Sequence, residues 1–291
     1  MIIGGDKTAV VKNIRKNIKA GNLNAKVEVG DPVFSDEEAE RAIKNLKDFR
    51  NNHKIKYWFR SRGAVITQQT FGIAMSHSIK IEGIEKLDCI KNGAIVTSNH
   101  FNHLDSMCAR KVIKKQFRKT PYIVIQDTNI AIPGPIGYLM NNLKTLPLRK
   151  GPNYIIKEFV PELKRLVDYG EFVLIYPEEE MWYNYRKPRP CKRGTYMFAA
   201  MIKVPIIPIF VELIDTGKDD NGQFNKLKFV AHVLNPIFPN TKKNVRENSI
   251  EMARTDYEQR VAAYEKIYGK KLDYKFSIDD IVGLKAKERN Q

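Results

Sequence analysis

His100 and Asp105 stand five residues apart behind a short apolar run, in Ala94-Ile-Val-Thr-Ser-Asn-His-Phe-Asn-His-Leu-Asp-Ser106. An imidazole held by a carboxylate can act as a general base. The carboxylate fixes the tautomer and stabilises the imidazolium that forms on proton transfer. On one continuous α-helix, five residues turn through about 500°, so the two side chains would point apart. A turn must therefore separate them. Asn99, Asn102 and His103 are suitable turn residues, and Asp105 or Ser106 is a good N-cap for a helix that follows.

The same residues admit three other readings. A histidine and an aspartate can simply cap a turn, and taken alone His-x4-Asp favours that reading. His100, His103 and Asp105 are also metal-ligand types, with His232 downstream. The zinc hydrolase pattern His-x-His-x-Asp-His is not matched, however, because the first spacing differs and Ser106 replaces the last histidine, so no metal is expected. A serine nucleophile at Ser98 or Ser106 would need a supporting context, and the chain contains no G-x-S-x-G elbow.

The surrounding pattern predicts the elements that hold these residues. Buried strands are expected at 94–98, 122–125, 172–176, 204–211 and 227–233, with helices at 107–117, 154–169 and 194–202 between them. This alternation predicts an α/β domain over residues 77–291, with a mixed, largely parallel central sheet flanked by helices. Sites in such sheets gather at the carboxyl ends of strands. A final amphipathic helix is expected over about 246–268, packed on the sheet.

Upstream, Ser35 with Glu38 makes a capping box. Ala39, Ala42, Ile43, Leu46 and Phe49 then follow at helical spacing. A second helical stretch runs over about 54–75, where Lys54, Lys56, Arg60 and Arg62 flank Tyr57, Trp58 and Phe59. Such a helix suits a lipid headgroup interface, or equally packs on the core with a solvated basic face. Residues 35–76 are thus expected as a helical pair and a candidate membrane-surface anchor. Residues 1–34 read as a basic, weakly patterned arm.

Composition narrows the function classes. The 291 residues include 43% hydrophobic residues, enough for a sizeable core and against global disorder. Fifty Lys and Arg against 33 Asp and Glu give a net charge of +17, which suits a polyanionic partner: nucleic acid, an anionic membrane face or phosphorylated small molecules. Cys89, Cys108 and Cys191 show neither C-x-x-C nor zinc spacing and read as free thiols in a reducing compartment. No stretch reaches the ~20 apolar residues of a membrane span, and the N-terminus lacks a secretory core. A cytoplasmic protein, peripheral on the inner face of the cell membrane, is expected.

Four blocks in order carry a family resemblance. Asn99-His100-x4-Asp105 after an apolar strand resembles the first block of the glycerolipid acyltransferases, the 1-acyl-sn-glycerol-3-phosphate acyltransferase family. Pro133-Gly-Pro-Ile-Gly137 leading to Thr145-Leu-Pro-Leu-Arg149 is similar to the second block, whose arginine binds the acceptor phosphate. Leu174-Ile-Tyr-Pro-Glu178 resembles the third, usually Phe-Pro-Glu-Gly, and Val204-Pro-Ile-Ile-Pro-Ile209 the fourth. The resemblance implies a glycerol-3-phosphate acyltransferase-like fold, His100 and Asp105 as the catalytic pair, and Arg149 and Glu178 as acceptor-binding residues.

It also implies substrates. An acyl group would pass from acyl-CoA or acyl carrier protein to the hydroxyl of a lysophospholipid, most simply 1-acyl-sn-glycerol-3-phosphate, with no further cofactor. The third block departs from the pattern: Glu179 stands where the family has glycine, and its nearby arginine has no direct counterpart. Arg186, Lys187, Arg189, Lys192 and Arg193 follow, and some of them are expected to supply the phosphate-binding charge. The alternatives are another lysolipid or glycolipid acceptor, and a basic nucleic-acid-binding protein. Against the last, the basic residues are dispersed and no binding motif is present, so no nucleic acid is expected.

Overall fold

A computed structural model describes residues 6–29, 34–77 and 79–285, without the side chains of 68–77 and 136. The helices are α1 (Thr8–Lys19), α2 (Asp36–Asn52), α3 (Lys54–His77), α4 (Ser106–Phe117), α5 (Thr128–Ala131), α6 (Gly134–Asn142), α7 (Pro152–Tyr154), α8 (Val160–Asp168), α9 (Gly194–Ile202) and α10 (Val245–Tyr268). The strands are β1 (Ile79–Glu82), β2 (Ala94–Ser98), β3 (Tyr122–Gln126), β4 (Thr145–Leu148), β5 (Phe172–Ile175), β6 (Ile206–Asp219) and β7 (Asn225–Val233). A π-helical stretch, Ile155–Phe159, joins α7 to α8.

The seven strands form one sheet in the order β1-β7-β6-β2-β5-β3-β4. Every neighbouring pair is parallel except the β6–β7 hairpin. Alternate residues of each central strand face opposite layers. Val96 of β2 and Leu174 of β5 meet Cys108, Ala109 and Val112 of α4 in one core. Ile95 and Val173 meet α8, α9 and α10 in the other. A fully buried strand such as β2 must be apolar on both faces, and its sequence is.

These crossovers decide where a site can form. From β2 the chain leaves through α4 on one face towards β3. From β5 it leaves through α9 on the other face towards β6. Adjacent strands β2 and β5 thus diverge at their carboxyl ends and open a crevice between them, the place where α/β sheets bind ligands.

Several expectations sharpen. The capping box at Ser35 forms as its sequence indicates, with Ser35 accepting from the Glu38 amide and Glu38 from the Ser35 amide. β6 runs past the expected Val211 to Asp219, because its outer half pairs with β7 as a hairpin beyond the core. Two strands escaped the sequence reading: β1, and β4, whose Pro147 suits a sheet edge. The weakly patterned N-terminal arm is corrected too. Residues 8–19 are helical, and Val10, Ile14 and Ile18 bury against Trp182, Tyr185 and Ile281. Spacings of four residues gave that stripe away, but it is narrow and flanked by lysines.

Candidate active site

His100 and Asp105 meet at the carboxyl end of β2. Asp105 precedes α4 and is 2% exposed, while His100 is 22% exposed and reachable. The Nδ1 of His100 lies 2.7 Å from Asp105 Oδ2. The same oxygen accepts the amides of Phe101 (2.9 Å) and Asn102 (3.3 Å), closing the turn the spacing demanded. Nε2 is left for a substrate hydroxyl. Asn99, buried beside them, donates to the Val211 carbonyl and accepts the Val211 amide, pinning the end of β2 to β6.

Tyr176, immediately after β5, completes the arrangement, and its spacing in the sequence gave it no role. Its ring stacks on the His100 imidazole, with centroids 4.0 Å apart and planes 14° apart. Its hydroxyl donates to Asp105 Oδ1. Burial, then the charge of Asp105, push the Tyr176 phenol far up, so it remains a donor. The family block has phenylalanine here, so the tyrosine was the available signal. Its partner lies 71 residues away, which no local pattern reveals. Tyr176→Phe keeps the stack and removes one hydrogen bond to a charged acceptor. It is expected to lower kcat/KM about tenfold, measured by thiol release, with the melting temperature little changed.

The remaining candidates separate into two groups. Glu178 lies under the dyad, accepting the His100 amide at 3.3 Å, the Arg189 amide at 3.1 Å and Arg189 Nε at 3.0 Å. Glu178 and Arg189 are 2% and 1% exposed and form an ion pair at 2.8 Å. Arg189 also lies over the Trp182 ring and donates to the carbonyls of Leu23 and Glu180. Lys187 is buried against Asp280 (2.8 Å) and Asp273 (3.0 Å), and Arg186 pairs with Asp280 at 3.4 Å. These three cations are neutralised within the protein, and Arg186 and Lys187 hold the loop to the tail. Lys192 and Arg193 are exposed at the start of α9.

Arg149 follows β4 and pairs with Glu40 of α2 at 2.7 Å. It sits on the same edge of the sheet as His100 but three strands away, roughly 14 Å at ordinary strand spacing. The structure does not bring it against the dyad. In the same block Gly137 is required by a close approach: a Cβ there would lie 1.6 Å from the Ile132 carbonyl oxygen.

The departure in the third block carries a backbone cost. Glu179 has φ +65°, the left-handed conformation that glycine adopts freely and L-residues pay about 1–2 kcal/mol to adopt. Cys108 is fully buried and its thiol is pushed well up, chiefly by burial and further by Asp105. Arg110, on α4, is a cation the sequence reading did not single out. Burial draws its guanidinium down to about 10, opposed by the nearby Tyr176. Among the described residues no group of three His, Cys, Asp or Glu side chains could hold a metal ion. His232 lies elsewhere, between Glu212 and Glu82.

Residues 78–212, from the start of β1 into β6, match the family model described as Acyltransferase. That segment resembles an acyltransferase domain and makes up just under half of the chain. The match contains the dyad, Tyr176, Glu178 and Arg189, and leaves α1, α2, α3 and α10 outside it. The chain is 28% identical over 138 residues to the chloroplastic 1-acyl-sn-glycerol-3-phosphate acyltransferase BAT2 of Brassica napus, covering 47% of this chain and 38% of that protein. The chain therefore matches well under half the length of that curated relative. The crystal structure of the 1-acyl-sn-glycerophosphate acyltransferase PlsC from Thermotoga maritima superposes with a TM-score of 0.48 at 15% identity, covering 81% of this chain and 97% of that one.

Proposed function

We propose that this acyltransferase-family chain moves a fatty acyl group from a thioester donor to the free hydroxyl of a lysophospholipid, with 1-acyl-sn-glycerol-3-phosphate as the first acceptor to test. The observation that carries the reading is the 2.7 Å contact between His100 and Asp105 at the mouth of the β2–β5 crevice, inside the acyltransferase segment. His100 Nε2 takes the proton as the acceptor oxygen attacks the thioester carbonyl. The C–O bond forms, the C–S bond breaks, and the imidazolium returns the proton to the departing thiolate. Asp105 holds the ring in the required tautomer, and its own charge is shared with two amides and Tyr176. The acyl group passes directly between substrates, without a covalent enzyme intermediate. Lys192 and Arg193, exposed at the start of α9, are the cations assigned to the polar part of the acceptor. Glu178 and Arg189 act through the position of the His100 backbone.

Membrane contact belongs to the same proposal, because the acceptor resides in a bilayer. No described helix is long and apolar enough to cross one. α3 instead displays Ile55, Trp58, Phe59 and Ile66 at 53–76% exposure, beside exposed Lys54, Lys56, Arg60 and Arg62. Tyr138 of α6 joins this face by donating to the Arg60 carbonyl. Aromatics and cations on one helix suit the headgroup region of an anionic leaflet, consistent with a peripheral enzyme on a cytoplasmic membrane face. Trp58→Ala with Phe59→Ala is expected to cut sedimentation with phosphatidylglycerol vesicles at least tenfold. Unchanged sedimentation would contradict the assignment of this face.

The reading is tested by incubating purified protein with acyl-CoA or acyl carrier protein and a panel of lysophospholipids and lysoglycolipids. Diacyl product from at least one pair supports it, and no product from any pair contradicts it.

A further inference from the structure

A second concave site lies outside the acyltransferase segment. A groove of about 820 Å³ runs between α1 and the tail, within the size range of small-molecule sites. One wall is cationic: Lys12, Arg15, Lys16 and Lys19 are all exposed, and each has neighbours in the set three and four residues away, a band about 10 Å long. The other wall is apolar, with Phe276, Ile278 and Leu284, and Val11 lies between the two. Among the described residues no carboxylate lines it. The contrast with the loop after β5 is direct, for there Arg186, Lys187 and Arg189 are each matched by a buried carboxylate.

Four unmatched cations facing an apolar wall call for a ligand with several negative charges and a flat or apolar body. Position distinguishes between the two substrates of the proposed reaction. The inner face of α1, through Ile14 and Ile18, packs on Trp182, whose amide donates to the His100 carbonyl. The groove is on the outer face, so its cations stand about a helix diameter or more from the dyad, about 10 Å. The phosphate of a lysophospholipid is joined to the reacting hydroxyl through glycerol alone and must lie close to His100. The phosphates of coenzyme A are tethered to the reacting thioester by a long arm and can lie this far away.

We infer that the groove between α1 and the tail seats the adenosine 3′,5′-bisphosphate end of a coenzyme A thioester, with phosphates on the α1 cations and the base against Phe276. Arg15 already lies 5.8 Å over the Phe276 ring, a ready partner for a stacked base. The inference rests on the acyl-transfer reading for its donor, but binding can be measured without catalysis.

The probe is adenosine 3′,5′-bisphosphate, titrated calorimetrically into the full chain, with inorganic phosphate, lysophosphatidate and acyl carrier protein titrated separately. The bisphosphate is expected to bind more tightly than inorganic phosphate. Lys12→Glu with Lys16→Glu should weaken it at least tenfold, as should Phe276→Ala, and His100→Ala should not. The two lysines lie on the surface and Phe276 is half-buried, and a thermal melt reports any loss of fold. The double variant should also raise KM for an acyl-CoA at least tenfold with kcat little changed.

Three results overturn the inference: bisphosphate affinity unchanged in both groove variants, no preference over inorganic phosphate, or binding by carrier protein or lysophosphatidate alone. If the variants lose the bisphosphate but wild type transfers no acyl group, the groove stands and the transfer reading falls. If acyl-CoA is used with a KM indifferent to the groove variants, only the groove assignment falls.

Discussion

His100→Ala is expected to lower kcat/KM for acyl transfer by about 10²- to 10⁴-fold, the range of a positioned general base, with little change in stability. The second half follows from the contacts of Asp105. Removing the imidazole takes one donor from Oδ2, but the Phe101 and Asn102 amides remain on that oxygen and Tyr176 on the other. The buried carboxylate therefore keeps three partners, and the turn between β2 and α4 stays closed. His100 is itself partly exposed, so its truncation leaves no sealed cavity. Parallel measurement of thiol release and thermal melting separates the two effects. A variant that melts like wild type but is slowed less than tenfold would remove His100 from the chemistry.

Arg189→Met is expected to act in the opposite way, destabilising the chain by about 3–5 kcal/mol, the usual result of stripping one partner from a buried ion pair. Glu178 would keep its two amide donors but lose the guanidinium that balances its charge. Two further supports would go as well: the link to Leu23 behind α1 and the contact across Trp182. By ordinary scaling the melting midpoint should fall by roughly 6 °C or more. If Arg189 instead held a substrate phosphate, the variant would melt normally and show a raised KM for the acceptor. The two outcomes are cleanly distinct in one pair of measurements.

Why Arg189 could be misread from sequence is instructive. Arg186, Lys187, Arg189, Lys192 and Arg193 form a continuous basic cluster between prolines, and such a cluster resembles an anion site. Burial in a loop has no periodicity, however, and the neutralising carboxylates come from Glu178 and from Asp273 and Asp280 of the tail. Only folding brings those together. The dyad was more legible because both members lie within one turn, where five-residue spacing and turn-forming neighbours limit the geometry. The strands β2 and β5 were legible as apolar runs buried on both faces, and β3 as an apolar run although it is only half-buried. β1 and β4 were not, being four-residue edge strands whose pattern is too short to register.

The basic charge divides in a comparable way. In sequence, the +17 balance pointed to a polyanion without choosing one. Folding neutralises Arg186, Lys187 and Arg189 in the loop after β5, sets the cations of α3 beside exposed aromatics, and aligns those of α1 along a groove. A donor site on α1 and a bilayer face on α3 would place the two substrates at different surfaces, with His100 following both helices in the sequence and lying at the sheet's carboxyl edge in space.

The central claim is most directly tested by following an isotopically labelled acyl-CoA mixed with 1-acyl-sn-glycerol-3-phosphate, using mass spectrometry on wild type and His100→Ala. Labelled phosphatidate is expected from wild type, with no acylated protein at any time and at least a hundredfold slower product formation from the variant. Equal rates for the two proteins, or a label that passes first onto the protein, would contradict it.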